Sequence, residues 1–183
     1  MSQHVYHFKP KGMFGDRLIP LNRLKDSYPS VYAEHIKKYK GREHLLQETI
    51  PILNCLWNDV LHISPISPQR ILDTWRAEGL HQHARVSESI EVYKIPVDLL
   101  EEKTTVCYQS FNFDFHSYNP DLDRTWEFQK SLFKEQNEVN PKQLEIWKSD
   151  LKSGRPFFWY SHTMHILAQQ EIDILSCELI TCK

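Results

Sequence analysis

The sequence predicts an α+β fold in which a mainly antiparallel central sheet carries helices packed around it. Three observations point there. Strand-like segments crowd the second half and helix-like ones sit between the early strands, without the regular βαβ alternation of a doubly wound sheet. Of 183 residues, 40% are hydrophobic and 12% aromatic, enough for a packed core rather than a disordered chain. The length suits one domain, 1–183, and no internal repeat, low-complexity tract or linker divides it.

The elements follow in order. Val5-Tyr6-His7-Phe8 has strand character and stops at Pro10. Gly12 and Gly15 supply turns in the loop 9–20. Ser27 and Pro29, then Val31, Tyr32, Ile36 and Tyr39 at helical spacing, predict a capped helix ending at Gly41. Residues 42–49 predict a second short helix, closed by Pro51. Val60, Leu61 and Ile63 predict a strand stopped by Pro65. Ser67-Pro68 reads as a cap followed by Pro at the first helical position, with Ile71, Leu72 and Trp75 on one face and Gly79 as the stop. Residues 91–95 and 104–109 predict strands on either side of a helical turn, 96–102. Residues 110–122 alternate aromatic and polar side chains, which suits a strand extension or an ordered loop. Asn140-Pro141 opens a helix through Leu144, Trp147 and Leu151 to Gly154. Two terminal strands, 157–167 and 172–181, are separated by Ala168-Gln169-Gln170-Glu171.

Composition excludes several function classes. With five glycines the chain has no GxGxxG and no GxxxxGK[ST], so P-loop ATPases, nucleotide kinases and ordinary Rossmann dehydrogenases drop out. The longest apolar run, Phe157-Phe158-Trp159-Tyr160, is far short of the roughly 20 residues a membrane helix needs. The start, Met1-Ser2-Gln3-His4, lacks the basic head and apolar stretch of a secretion signal, so the expected location is the cytoplasm, with no membrane partner. Cys55, Cys107, Cys177 and Cys182 form no CxxC and are expected as reduced thiols.

The net charge of −2 hides an asymmetry. Residues 1–44 hold nine Lys and Arg against four Asp and Glu, a balance of +5 that leaves −7 for the rest. Clustered cations suit the phosphates of a nucleotide or nucleic acid. Lys37, Lys38 and Lys40 read first as a solvated helix face.

Ten histidines are many for this length, and His is the side chain that most readily switches proton state near neutral pH. Tyr6 and His7 sit on the opening strand, where neighbours face opposite sides. In Trp57-Asn58-Asp59-Val60-Leu61-His62-Ile63-Ser64, a strand puts His62 and Ser64 on one face, a hydroxyl beside an imidazole that can bind ribose or a carboxamide or act as a nucleophile pair. No GxSxG elbow surrounds Ser64, and the same cluster also makes good turn material. His162-Thr163-Met164-His165 with Cys177 and Cys182 has zinc-ligand residue types, but no CxxC or HExxH, so no metal is expected. His81-Gln82-His83 reads as a solvated loop, and the carboxylates Glu101-Glu102, Asp121 and Asp123 as surface. Arg42, in Gly41-Arg42-Glu43, offers a guanidinium fork for a pyrophosphate.

Taken in order, these segments resemble the ADP-ribosyltransferase fold, and within it the DarT-type toxins that modify nucleic-acid bases. Val5-Tyr6-His7 is similar to that family's first strand, whose histidine touches the adenosine or nicotinamide half of NAD. The run from Leu56 through Leu61-His62-Ile63-Ser64-Pro65-Ile66-Ser67-Pro68 resembles its central strand and Ser-Pro helix start. Met164-His165-Ile166-Leu167 and Ile172-Asp173-Ile174 look like its final strand pair. The family's catalytic Glu falls about where His165 stands, and Glu171 or Glu178 replaces it only in a different register. The RNA 2′-phosphotransferase branch uses His and Arg instead of a lone Glu.

The resemblance implies a nucleotide-binding domain with NAD as cofactor, a divergent ADP-ribosyl or 2′-phosphate transferase acting on nucleic acid or protein. Tyr6 and His7 would meet ribose or adenine, Arg42 the phosphates, Trp57 a stacked ring, and His62 with Ser64 the nicotinamide side, with His165 or Glu171 nearest the transferred ribose. The alternative is a non-catalytic interaction domain of the same architecture, whose aromatic segment 111–118 and terminal strands bind a protein partner.

Overall fold

A computed structural model describes residues 3–13, 15–82, 89–110, 123–155, 158–160 and 162–183. Its architecture is mixed α/β, with several antiparallel sheets in place of one central sheet. Among the described residues the strands are β1 (His4–Phe8), β2 (Arg17–Leu18), β3 (Thr49–Ile50), β4 (Cys55–Leu56), β5 (Leu61–Ile63), β6 (Ile90–Pro96), β7 (Thr105–Ser110), β8 (Asp123–Glu127), β9 (His165–Ala168), β10 (Ile172–Asp173) and β11 (Glu178–Cys182). The helices are α1 (Leu24–Ser27), α2 (Pro29–His35), α3 (Pro68–Ala77) and α4 (Pro141–Lys152). Among the described residues no helix is long and apolar enough to cross a membrane.

One sheet has the order β1-β6-β11 and another β5-β9-β7-β8, all pairs antiparallel; β2 pairs with β10 and β3 with β4. The two larger sheets meet at one bridge. The Tyr6 amide donates to the Ser64 carbonyl at 2.8 Å and the Ser64 amide donates back at 2.9 Å.

Alternation along β1 explains the layers. Val5, fully buried, joins Ile63, Ile95 and Ile166 in the core between the sheets. Tyr6 turns the other way, toward Ile71, Trp75 and Trp147 of α3 and α4. The rings of Trp75 and Trp147 meet edge-on at 5.2 Å, and each fully buried aliphatic side chain in these layers contributes about 1.5–3 kcal/mol. The Tyr6 hydroxyl donates to Glu135 Oε1 at 2.5 Å, and Glu135 Oε2 accepts the His4 amide, which ties β1 to the segment before α4.

Both long helices start as their sequence dictates. Ser67 Oγ accepts the Gln69 amide and Asn140 Oδ1 the Lys142 amide, each followed by proline. Gly79, at φ +69°, ends α3 with a left-handed residue.

Four expectations change. The helix expected from Pro29 to Gly41 follows a separate turn, α1, because proline at 29 holds Tyr28 out of the helical region; α2 then tightens into a 3-10 turn, Ile36–Tyr39. Residues 42–49 form a 3-10 turn, Glu43–Gln47, and then enter β3. The segment 172–181 is not one strand: the Asp173 carboxylate accepts the Leu175 amide and stabilises a turn, so β10 joins β2 while β11 joins β6. The strand expected over 157–167 begins at His165, after turns in which His162 takes φ +55°. Residues 111–122, with the aromatic stretch and Asp121, and also His83 and Phe157, lie outside the described residues.

Candidate functional site

Strands β1 and β5 touch at the Tyr6–Ser64 bridge and pair nowhere else. A cleft of about 340 Å³ is lined by the residues that follow the bridge on β1, His7 to Pro10, and by those that lead up to it on β5, Asn58 and Val60 to His62. Side chains from α1, α2 and the 3-10 turn after α2, including Leu24, Val31, Lys38 and Tyr39, form another wall, and Tyr160 and His165 complete it. That volume is at the small end of the roughly 300–1,000 Å³ usual for small-molecule sites.

Three of the histidines singled out from sequence line this one cleft: His7, His62 and His165. Their proton positions follow from their partners. His62 Nε2 lies 3.0 Å from the Trp57 carbonyl and His165 Nε2 3.3 Å from the Tyr160 carbonyl. A carbonyl oxygen only accepts, so both rings carry their proton on Nε2 and leave Nδ1 as a lone-pair acceptor. Burial lowers the pKa of all three from 6.5, His7 and His165 to about 4 and His62 to about 3. For His62 the neighbouring His165, Lys38 and His7 add to the effect; for His7, Lys38 adds to it and the Phe8 backbone partly offsets it. All three are neutral at pH 7.

The turn Trp57–Asp59 holds the floor. Asp59 Oδ2 accepts the Leu56 amide and Oδ1 accepts from Asn22, both at 2.8 Å, so the carboxylate is committed to the turn and not to His62. The clamped turn presents Trp57 to the His62 ring, centroids 4.5 Å apart, and Asn58 to the cleft. Asn58 is 2% exposed, and among the described residues neither its Oδ1 nor its Nδ2 has a hydrogen-bond partner. His7 Nδ1 and the Tyr160 hydroxyl, in the same lining, make no well-formed hydrogen bond either; the Tyr160 hydroxyl is near Ser64 without the geometry of one. Each unpaired buried polar group costs about 1–3 kcal/mol, and three residues that carry them line this one cleft.

The charge lining the cleft is cationic. Lys9, Arg17 and Lys38 contribute to it, and no Asp or Glu does among the described residues. Lys9 is neutralised by Glu91 at 2.8 Å and Arg17 approaches Glu171 at 3.5 Å. Lys38 has no carboxylate partner among the described residues, and burial of its ammonium, with Arg42 nearby, lowers its pKa.

The remaining sequence candidates are placed elsewhere. Ser64, 2% exposed, donates to the Ile66 carbonyl and accepts the Ile66 amide, so its hydroxyl closes a turn. Tyr6 is engaged with Glu135 on the helix side of its sheet. Trp57 supports His62 from outside the lining, packed also on Tyr108 at 5.3 Å. Arg42 donates to the Lys38 carbonyl at 2.8 Å and lies over the Phe158 ring. Glu171 bridges Arg17 and Arg23 and reaches the cleft only through Arg17. Among the described residues no three His, Cys, Asp or Glu side chains are grouped to hold a metal ion. Glu102 accepts the Lys130 amide at 2.7 Å.

Asn58, Tyr160, Tyr39 and Lys38 are among the lining residues that the sequence did not single out as site residues. The signal for Asn58 was its place in a turn just before the strand of His62; for Lys38 it was the basic first quarter. Comparison with known proteins finds no family model, no curated protein and no solved structure that matches the chain.

Proposed function

We propose that the protein is a nucleotide-binding domain and that the cleft between β1 and β5 receives one nucleoside-sized half of an NAD-like ligand. One observation carries this reading: Asn58, His7 and Tyr160, each with a buried polar atom unpaired among the described residues, line a largely apolar cleft whose charged groups are all cations. Apolar walls suit a base or nicotinamide ring, the orphan atoms suit its hydrogen-bonding edge or the ribose hydroxyls, and Lys38 suits a phosphate.

On this reading the chemistry, within an ADP-ribosyltransferase-like architecture, is either transfer of ADP-ribose from NAD to a nucleic-acid or protein acceptor, nicotinamide leaving as its bond to the ribose breaks, or removal of a 2′-phosphate from nucleic acid to the ribose of NAD, again with loss of nicotinamide. His62 and His165, neutral with the proton on Nε2, would orient an attacking hydroxyl by accepting its hydrogen bond at Nδ1; burial disfavours the imidazolium, so neither is a strong base. Glu171, held by two arginines, has no direct place in that step.

Isothermal titration tests the binding claim. NAD and ADP-ribose titrated into the wild type are expected to give saturable heat, weakened in His7→Ala. No heat at millimolar ligand overturns the reading. A second reading, a protein-interaction domain, is favoured by Trp126, 39% exposed on the edge strand β8. It leaves the orphan atoms of the cleft without a purpose.

A further inference from the structure

His62 and His165 are built alike. Each ring gives its Nε2 proton to a backbone carbonyl five residues earlier, of Trp57 and of Tyr160, in the turn that precedes its strand. The ladder then sets both on one face. His62 stands opposite Leu167, and His165 lies two places from Leu167 on β9, so the two rings are diagonal neighbours on the same side of the sheet. Trp57 and Tyr108, the latter opposite His165 on β7, flank them. The two rings differ from Asn58, His7 and Tyr160 in one respect. Their Nδ1 atoms make no hydrogen bond among the described residues, yet they are not among the buried polar atoms closed to solvent, and the space both rings line is this cleft.

Two open acceptors set a condition on an anion. A bare phosphate oxygen only accepts, as Nδ1 does here, so the two repel; with one proton between them the contact is a charge-assisted hydrogen bond. Among phosphates, a monoester can bring that proton near neutral pH, because its second ionisation lies at about 6. A diester has none to bring. We propose that His62, His165 and Lys38 form a subsite for the phosphate monoester of a 5′-mononucleotide, which binds together with one proton shared between a phosphate oxygen and an Nδ1. This rests on the cleft being the nucleotide site. Lys38, whose charge reaches both His62 and His7, meets the remaining negative charge. Burial disfavours the imidazolium and keeps both acceptors open at pH 7, so the proton arrives with the ligand. The other groups around the pair are engaged or neutral. Burial raises the phenols of Tyr39 and Tyr160 and the Cys55 thiol, which packs with Trp57 and Leu167. His7 Nδ1 is closed off, His35 is bonded to the Lys11 carbonyl, Asp59 is held in its turn, and Lys9 and Arg17 face Glu91 and Glu171.

Titration calorimetry in buffers of different ionisation enthalpy counts the protons. With AMP or nicotinamide mononucleotide at pH 7.5, the wild type is expected to take up about one proton per ligand, and the affinity to rise about tenfold from pH 8 to pH 7. The 5′-methyl ester of AMP, a diester, is expected to take up none and to bind about tenfold more weakly than AMP at pH 6.5. Lys38→Met is expected to keep the uptake while losing affinity. His62→Gln or His165→Gln is expected to reduce it to about half or less, and the variant that does so names the ring that shares the proton. AMP binding without uptake, equal affinity for the methyl ester, or uptake kept in both histidine variants overturns the subsite and leaves the nucleotide reading standing. Uptake lost in Lys38→Met overturns it too, by placing the proton on the lysine. The methyl-ester comparison needs the wild type alone, so it decides even if a histidine variant fails to fold. Heat from NAD with none from either mononucleotide overturns the subsite only. If none of the three gives heat, the nucleotide reading falls and the subsite falls with it.

Discussion

Trp57 holds His62 twice: its backbone carbonyl accepts the Nε2 proton at 3.0 Å, and its ring lies 4.5 Å from the imidazole centroid. One residue therefore sets both the tautomer and the dry surroundings that push the His62 pKa down to about 3. Trp57→Ala keeps the carbonyl and removes the wall. The ring also meets Tyr108, so the variant is expected to lose about 2–3 kcal/mol, below the 3–5 of a fully buried Trp because Trp57 is half-buried. As water enters, the His62 pKa is expected to climb toward 6.5, followed by NMR titration of the imidazole. A pKa still near 3 would show that Trp57 does not desolvate the ring.

The same burial links the cleft to acid stability. His7, His62 and His165 have folded pKa values of about 4, 3 and 4 against an ordinary 6.5, so the unfolded chain binds more protons between those limits. Stability from this source is complete above pH 6.5 and drains away as pH falls toward 4. The loss is on the order of 1–2 kcal/mol per histidine by pH 5, before most carboxylates titrate. Urea unfolding at steps from pH 7.5 to 5 is expected to show a falling midpoint. His62→Gln is expected to flatten that slope by about a third. A midpoint constant over this range would contradict the neutral, buried state of the three rings.

Local chemistry made much of this fold legible in advance. Ser67-Pro68 and Asn140-Pro141 carry their caps within two or three residues, so α3 and α4 start where the sequence places them. The break between α1 and α2 was harder to see, because helical spacing runs through Tyr28 while proline at 29 acts on the residue before it. The cleft itself depends on a relation no spacing encodes: β1 and β5, some 58 positions apart at their bridge, pair once and no further. Ser64 shows the limit of face arguments. Strand alternation puts it beside His62, yet the strand ends at Ile63, and the Ser64 hydroxyl serves the Ile66 amide and carbonyl in the turn that follows. Lys38 shows the converse, since helical spacing left it among solvated lysines while the 3-10 turn Ile36–Tyr39 brings it into the lining.

Lys38 is where an anion would be felt first. Its ammonium has no carboxylate partner among the described residues, and Arg42 donates to its backbone carbonyl at 2.8 Å, close enough to repel it. Burial and that repulsion both lower its pKa, so the free protein holds the charge less readily than an open lysine does. A phosphate in the cleft reverses this by favouring the charged form. Lys38→Met, which keeps the stem and removes the charge, is therefore expected to weaken AMP about tenfold and to leave adenosine within about twofold. The side chain as a whole is exposed, which holds the effect to the low end of charged hydrogen bonds. Raising salt is expected to weaken AMP in the wild type more than in Lys38→Met, because screening removes an interaction the variant already lacks. Equal losses for AMP and adenosine in Lys38→Met would place the phosphate away from Lys38 and leave Lys9, paired with Glu91 at 2.8 Å, and Arg17, paired with Glu171 at 3.5 Å, as the cations to meet it.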